Sequence, residues 1–411
     1  MMEEKKGFKR TELGSFPIDW SIKDLGSCTS KITDGTHDTP KKIKEGIPYI
    51  TAIHVKQNNI DFDSCYYLPE EVHRQIFNRC NPSKGDVLMV NIGAGVGTTA
   101  VVNVHFEFSL KNVALIKPEH AKLSGEYLNY CLDYFKELIV NSLSSGGAQG
   151  FLSLAKISNI KIPLPPTLTE QQAIASALSD VDELIRSLDG LIQKKQAIKK
   201  GTMQQLLTGK KRLPGFDGEW EVKKLGELFE KIVGGGTPSR SKSEYWNGEI
   251  PWATVKDFRT FRETGTQETI TKEGLVNSSS NLIPKGTVIT STRMGLGQAV
   301  IYDVDVAINQ DLKAIFTNKQ LHPEYLYYWF AANKEEIESL GSGSTVKGIS
   351  LGDLKSFETL ITDSIEEQKA IAQILSDMDR ELQTLRQKRE KYVQIKQGMM
   401  QELLTGKTRL V

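Results

Sequence analysis

The sequence predicts an α+β fold built twice: two similar α/β globular domains joined by two long helices that form an antiparallel coiled coil, the copies being related by a pseudo-two-fold axis. Three observations predict it. The stretch Glu170–Leu213 returns at Glu367–Leu410 at a constant offset of 197 residues, with 23 of 44 positions identical. Both copies carry a heptad stripe: Ile371, Met378, Leu385, Tyr392 and Met399 in one, Ile174, Val181 and Leu188 alternating with Leu178, Ile185 and Ile192 in the other. Shorter matches on either side of the helices extend the repeat over the whole chain. Trp20 pairs with Trp220, Ile47-Pro48-Tyr49 with Ile250-Pro251-Trp252, and residues 82–102 with 283–302.

In chain order, residues 1–14 read as an N-terminal tail, 15–166 as the first globular domain and 167–211 as the central long helix. Residues 212–362 form the second globular domain and 363–411 the C-terminal long helix. Within each globular copy, short β-rich runs are broken by Gly, Ser, Asn and Thr turns. A twisted, partly barrel-like sheet is expected, followed by a shorter helix at Tyr127–Leu138 and at Tyr325–Glu336. The prolines of residues 162–170 stop the last strand of the first domain, and Thr169 is placed to N-cap the long helix. Helix formers then dominate, with no internal proline. Each long helix ends in Leu-Leu-Thr-Gly-Lys, with Gly209 and Gly406 placed as C-caps. About 38 residues at roughly 1.5 Å each give a rod on the order of 57 Å.

The 411 residues carry a net charge of +1, which argues against binding polyanions by bulk charge but allows local basic patches. The four cysteines, Cys28, Cys65, Cys80 and Cys131, match neither a zinc-site nor a disulfide spacing. The N-terminus has no apolar leader, and no apolar run is long enough to span a bilayer. A cytoplasmic protein without a membrane partner is expected.

Catalytic motifs fare poorly. The run from Asp86 through Gly93-x-Gly95-x-Gly97 resembles a nucleotide-cofactor loop, but a β-like stretch follows where a helix N-terminus is required. Gly406-Lys407-Thr408 ends like a phosphate loop, but Gln401 stands where its first glycine belongs. The six histidines make no metal-like pair on a helix, and the Asp217, Glu221 and Lys223 set is a chance-level nuclease triple. No cofactor or metal site is expected in this chain.

What remains is polar turn chemistry at matched places. Gly234 to Lys242 is a basic, hydroxyl-rich loop containing Thr237, Ser239, Arg240 and Lys242, and its counterpart, Thr33 to Lys42, holds Thr36, His37, Lys41 and Lys42. Thr290 to Arg293 matches Val90 to Gly93, which offers Asn91. Gly341 to Lys347 matches Ser144 to Gln149. Short hydroxyls, amides, Arg and Lys beside glycine are what phosphate contact and base-edge reading require. Lys111, Gln149, Lys256, Arg293 and Lys347 complete the candidate double-stranded DNA face. The loops agree in kind and differ in letters, so two equal scaffolds are expected to read two different things. On the helices, Leu184, Leu191, Ile198, Leu206, Leu207, Ile374, Leu403 and Leu404 exceed what one mutual seam consumes, and they are the candidate partner-binding stripe.

Taken with the tandem Glu-Gln-x-x-Ile-Ala … Leu-Leu-Thr-Gly helices, three further marks point to one family. They are Gly236-Thr237-Pro238-Ser239, Tyr245-Trp246-Asn247-Gly248 and Ile250-Pro251-Trp252. From about residue 15 to 411 the chain resembles the specificity (S) subunits of type I restriction–modification systems. The first copy departs from the pattern at Asp34-Gly35-Thr36-His37. The resemblance implies a non-catalytic DNA-recognition subunit in which each domain reads one half of a bipartite site. It implies helices that set the spacer and dock two adenine-methylating subunits, joined by restriction/translocase subunits. Adenosylmethionine, ATP and Mg would then belong to those partners. The rival readings are a fused adenosylmethionine-dependent methyltransferase, which needs the Gly93–Gly97 loop to bind cofactor, and a coiled-coil scaffold that binds no DNA.

Overall fold

The computed structural model describes residues 7–93, 95–143, 150–341 and 348–410. The chain divides into two compact units, and neither is continuous in sequence. One comprises residues 1–188 with 388–411, the other residues 189–387. Each unit therefore holds one globular domain, the start of the long helix that follows it, and the end of the other long helix. The helices are Leu168–Leu206 and Ile365–Leu403, each of 39 residues.

In the first unit a four-stranded antiparallel sheet runs in the order Thr99–Val101, Val87–Met89, Ala114–Pro118, Thr29–Asp34. A second sheet places Ile47–Thr51 between Ser109–Lys111, which runs parallel to it, and Tyr66–Leu68, which runs antiparallel. The all-buried strand Val87–Met89 explains its unbroken apolar run: both of its faces are covered. The two sheets are hydrogen-bonded separately and share a core that includes Ile50, Leu88, Leu110 and Leu115. The helix Gly125–Tyr134 packs on the four-stranded sheet through Tyr127, Leu128 and Cys131. It starts two residues before the expected position, because Ser124 caps it by accepting from the Tyr127 amide. A second helix, Lys136–Leu143, takes the rest of the expected span. Phe8–Thr11 pairs with Gly14–Pro17 in a hairpin, so much of the expected tail is folded. The domain closes where Ser21–Asp24 pairs with Lys161–Leu164, which delivers the chain to the long helix.

The second unit repeats this plan. Its sheets run Phe229–Gly234, Leu312–Thr317, Val288–Ser291, Ala299–Ile301, and Glu268–Ile270, Trp246–Ala253, Val306–Ile308, Asn281–Ile283. The helix Pro323–Ala332 packs here, and Trp220–Lys224 pairs with Glu358–Thr362 at the closure.

Each unit buries the two helical stretches it holds. Ile174, Ala175 and Leu178 join Met400, Leu403 and Leu404 in the first core; Met203, Leu206 and Leu207 join Ile371, Ala372 and Leu375 in the second. Ion pairs fix an antiparallel sense. In the second unit Lys195 pairs with Glu381 at 2.7 Å and Lys199 with Asp379, so the partner number falls as the first rises. In the first unit Lys396 pairs with Asp182 at 2.7 Å and Arg409 with Glu170.

The helix ends are built alike. Gly209 and Gly406 have φ of +66° and +67°, and the amides of Lys211 and Thr408 reach back to the carbonyls of Gln205 and Glu402. A Cβ at Gly406 would lie 2.5 Å from Pro17, and one at Gly209 would lie 2.8 Å from Trp220, so close approach fixes glycine as firmly as φ does. At the helix start the cap is Thr167, not Thr169: its hydroxyl accepts from the Glu170 amide at 3.2 Å, and Ser364 does the same for Glu367. Thr169 stands inside the first turn, where its hydroxyl is too far along to cap.

Candidate nucleic-acid interface

Both units expose a loop of matched origin. The chain leaves strand Thr29–Asp34 at Gly35, and strand Phe229–Gly234 at Gly235. A Cβ at Gly35 would sit 1.9 Å from the Leu110 carbonyl oxygen, and one at Gly235 1.9 Å from that of Ile308. Glycine lets the loop cross the neighbouring strand at contact distance. The next amide then donates to that same carbonyl, Thr36 to Leu110 at 2.9 Å and Gly236 to Ile308 at 3.0 Å. The loop roots are thus identical in geometry.

The tips differ. In the first unit the Lys42 ammonium lies 3.1 Å from the centre of the Tyr66 ring. Lys111 donates to Thr39. His37 bridges Asn112, at 2.9 Å, and Asp34, at 3.1 Å. The Thr36 hydroxyl accepts from the Asp38 amide at 3.1 Å, and Lys41 is exposed. Thr39, Lys42, Tyr49, Tyr66, Lys111 and Asn112 surround a cavity of about 290 Å³. Two lysines, hydroxyls and an amide around an open cavity beside aromatic rings are suited to a phosphate oxygen or a base edge.

In the second unit the tip is a stack. Arg240 lies over Trp246, its Cζ 3.7 Å from the ring centre. Trp246 stands edge-on to Trp252, and the indole N–H groups donate to the carbonyls of Ser239 and Gly236, both at 3.1 Å. Both ends of the Gly236–Ser239 segment therefore hang on indoles. Arg240 also donates through Nη1 and Nη2 to the Glu268 carboxylate, the Nη2 bond being 2.9 Å. That bonding is the main cause that holds the Glu268 carboxyl below its ordinary pKa. Thr237 donates to Gln310 at 2.6 Å, Ser239 shares a bond with Ser241, and Lys242 donates to the Tyr245 hydroxyl at 3.0 Å. Lys256 is exposed and adds positive potential at Glu268.

The structure brings Thr36, His37, Lys42 and Lys111 together in one unit, and Thr237, Ser239, Arg240 and Lys242 in the other. Arg293 is exposed on a separate turn, where it bridges to Gly348 beside Met294, a non-glycine residue at φ +51°. Gln149 and Lys347 lie outside the described residues. Asn91 is corrected: it is 2% exposed, and its amide donates to the Leu152 carbonyl at 3.3 Å. It follows a fully buried strand, and the chain at Phe151–Leu152 covers it.

The partner-binding stripe is corrected in part. Leu206, Leu207, Leu403 and Leu404 are at most 5% exposed, because the globular domain of each unit closes over the helix end it receives. Leu191 and Ile198 remain exposed, and Leu184 and Ile374 are half-buried.

Sequence reasoning missed Tyr66, Asn112, Glu268 and Gln310. Trp246 was visible within Tyr245-Trp246-Asn247-Gly248, but nothing local shows that it carries Arg240. The larger cleft of about 410 Å³ in the second unit is lined by Glu263, Asp303, Glu324 and Asp379 against one cation, Arg380, the wrong balance for a polyanion.

The root of each unit carries a chemistry different from that of its tip and alike in the two units. Arg409 closes on the buried Glu170, with Nη2 at 2.7 Å, and lies over Trp20; Arg212 closes on the buried Glu367, at 2.8 and 2.9 Å, and lies over Trp220. Tyr130 donates to Asp182 at 2.8 Å, as Tyr328 does to Asp379 at 3.0 Å. Burial first and the carboxylate second push both hydroxyls well above their ordinary pKa, so they stay donors. Gln171 accepts from the Ser124 amide and donates to the Lys122 carbonyl, while Gln368 does the same with His322 and Gln320. None of this polar chemistry is arranged for a reaction; these hydrogen bonds and ion pairs fasten the long helices in each unit.

Comparison with known proteins follows the same two-copy layout. A family model described as the type I restriction modification DNA specificity domain matches residues 17–199 and again 217–394. A putative type I restriction enzyme MjaX specificity subunit from Methanocaldococcus jannaschii is 29% identical, over 99% of this chain and 98% of its own. The EcoR124I/EcoR124II specificity subunit of Escherichia coli is 30% identical, over 69% of this chain and 70% of its own. Among solved structures, the S subunit of a type I restriction–modification system from M. genitalium aligns over 94% of this chain and 96% of its own, with a TM-score of 0.63 at 16% identity. That last likeness is one of fold.

Proposed function

The chain belongs to the type I restriction modification DNA specificity family, and from that premise we propose that each of its two units reads one half of a bipartite double-stranded DNA site. The observation that carries this reading is the duplication of the loop roots with divergent tips. Gly35 and Gly235 launch the two loops in the same way, while Lys42 on Tyr66 and Arg240 on Trp246 present different donors. Equal scaffolds with unequal donors suit two half-sites of unequal sequence. The chain is the DNA-recognition subunit of a type I system and works with other subunits.

In this reading two methylating subunits dock on the helices, one at each quasi-equivalent surface around Leu184, Leu191, Ile198 and Ile374, and restriction/translocase subunits join them. The complex acts in the cytoplasm; among the described residues no helix is long and apolar enough to cross a membrane. Light scattering of the co-purified complex should give two methylating subunits per chain, and a one-to-one complex at saturation defeats that stoichiometry.

The test of the reading is the methylated motif. The full chain with its methylating partners should mark one bipartite sequence. Lys41→Ala, Lys42→Ala and Lys111→Ala should alter methylation through one half alone, and Arg240→Ala and Arg293→Ala through the other. Variants that change both halves alike, or neither, overturn it. The helices are proposed to set the spacer. Four residues inserted between Ser187 and Leu188 add about 6 Å, between one and two base pairs at roughly 3.4 Å each. The preferred spacer should move by that amount with both half-sites unchanged.

A further inference from the structure

Arg240 is an exposed cation of the second unit held both by a carboxylate and by an indole ring. Its guanidinium carbon lies 3.7 Å from the centre of the Trp246 ring, whose own N–H is tied to the Ser239 carbonyl. Its two terminal nitrogens meet the two oxygens of Glu268 end-on. Glu268 is held in turn by sheet register: it pairs with Trp252 across neighbouring strands. Its counterpart in the first unit is Tyr66, which pairs with Tyr49 and carries Lys42, an ammonium with no carboxylate partner among the described residues. One strand position thus supports a free cation in one unit and a neutralised one in the other.

The end-on contact leaves a defined remainder. A guanidinium has five N–H donors. Glu268 uses one on Nη1 and one on Nη2, and among the described residues no other hydrogen-bond partner of Arg240 exists. Three N–H groups therefore remain, and of these Nε–H and the second N–H of Nη2 are parallel, on the edge beside the carboxylate contact. The Trp246 ring on one side and the Glu268 carboxylate at the end together hold the guanidinium in place. Because the pair has no net charge, this edge has little attraction for a phosphate. It retains a two-pronged hydrogen-bond donor, which fits the paired O6 and N7 acceptors that guanine shows in the major groove.

We propose that Arg240 reads a guanine in the half-site of the second unit through its Nε and Nη2 edge, and that Glu268 is the positioning residue that aims this edge and keeps the guanidinium off phosphates. This rests on the DNA-reading function proposed above. It goes further in naming the base and in giving a role to an acidic residue on a DNA-facing surface.

The experiment uses the full chain with its methylating subunits and duplexes that vary one position of the site at a time, at several salt concentrations. Arg240→Lys keeps the charge but not the fork, and should lose roughly ten- to hundred-fold of the preference for guanine at one position. Glu268→Gln and Glu268→Ala should weaken the same preference at the same position. They should also raise affinity for non-cognate DNA and steepen the salt dependence by about one neutralised phosphate. The other half-site should keep its preferences in every variant, which reports intact folding. Glu268 variants with unchanged preference and salt slope overturn the positioning role, as does a loss spread evenly over all positions. A lost preference for a base other than guanine overturns the base assignment. If Arg240→Ala changes no position and no affinity, the DNA-facing assignment of this loop fails instead, a result distinct from the others.

Discussion

At the root of each unit an arginine from a helix end closes on a buried glutamate, Arg409 on Glu170 in the first unit and Arg212 on Glu367 in the second, each over a tryptophan. At the tips the correspondence stops. Lys42 lies over Tyr66 in the first unit; in the second, Arg240 lies over Trp246 and is capped by Glu268. The paired strands that carry the tips correspond in the two units, so the difference is not one of strand pairing there. The roots hold each domain to two helices at once, and a change there would leave a charge buried without a partner. The tips are exposed, where a substitution away from special features alters stability within about 0.5 kcal/mol. Identical roots with divergent tips are what a scaffold shows when its frame is constrained by packing and its surface by what it reads.

That contrast can be broken at the root first. Arg409→Ala leaves Glu170, which is fully buried, without its cation, and should cost about 3–5 kcal/mol. Chemical denaturation of the full chain measures it, and a cost under about 1 kcal/mol, the range of an exposed pair, would mean that the clasp is ornamental. A smaller effect is expected where Tyr328 donates to Asp379 and Tyr130 to Asp182. Tyr328→Phe and Tyr130→Phe each remove a hydrogen bond to a charged group and should cost about 1.5–3 kcal/mol. Similar values for the two sharpen the claim that the roots are equivalent; a large inequality breaks it. The tips should behave in the opposite way. Lys42→Ala and Lys111→Ala should leave the denaturation midpoint within error while lowering the salt slope of DNA binding by about one for each phosphate no longer neutralised. A tip variant that destabilises the chain without touching the salt slope would erase the distinction between root and tip.

The sequence by itself determined the two-fold repeat, the long helices, their glycine ends and the position of the two loops. Each of these is written locally, as heptad spacing, as residue identity at a constant offset, or as glycine where the backbone needs it. Tertiary structure decided the rest. The compact units exchange helix ends, so Leu403 and Leu404, which look like a spare outer stripe, are covered by a domain distant in sequence, and Leu206 and Leu207 by the domain that follows them. Asn91 sits in a polar-looking turn, yet Phe151 and Leu152, about sixty residues on, close over it. Glu268 lies 28 residues from Arg240 in a stretch with no counterpart letters in the first copy, and only strand register brings the two together. Periodicity reports which face of an element is apolar; which distant residue meets it is set by sheet pairing and helix exchange, and those are long-range contacts that no local spacing encodes.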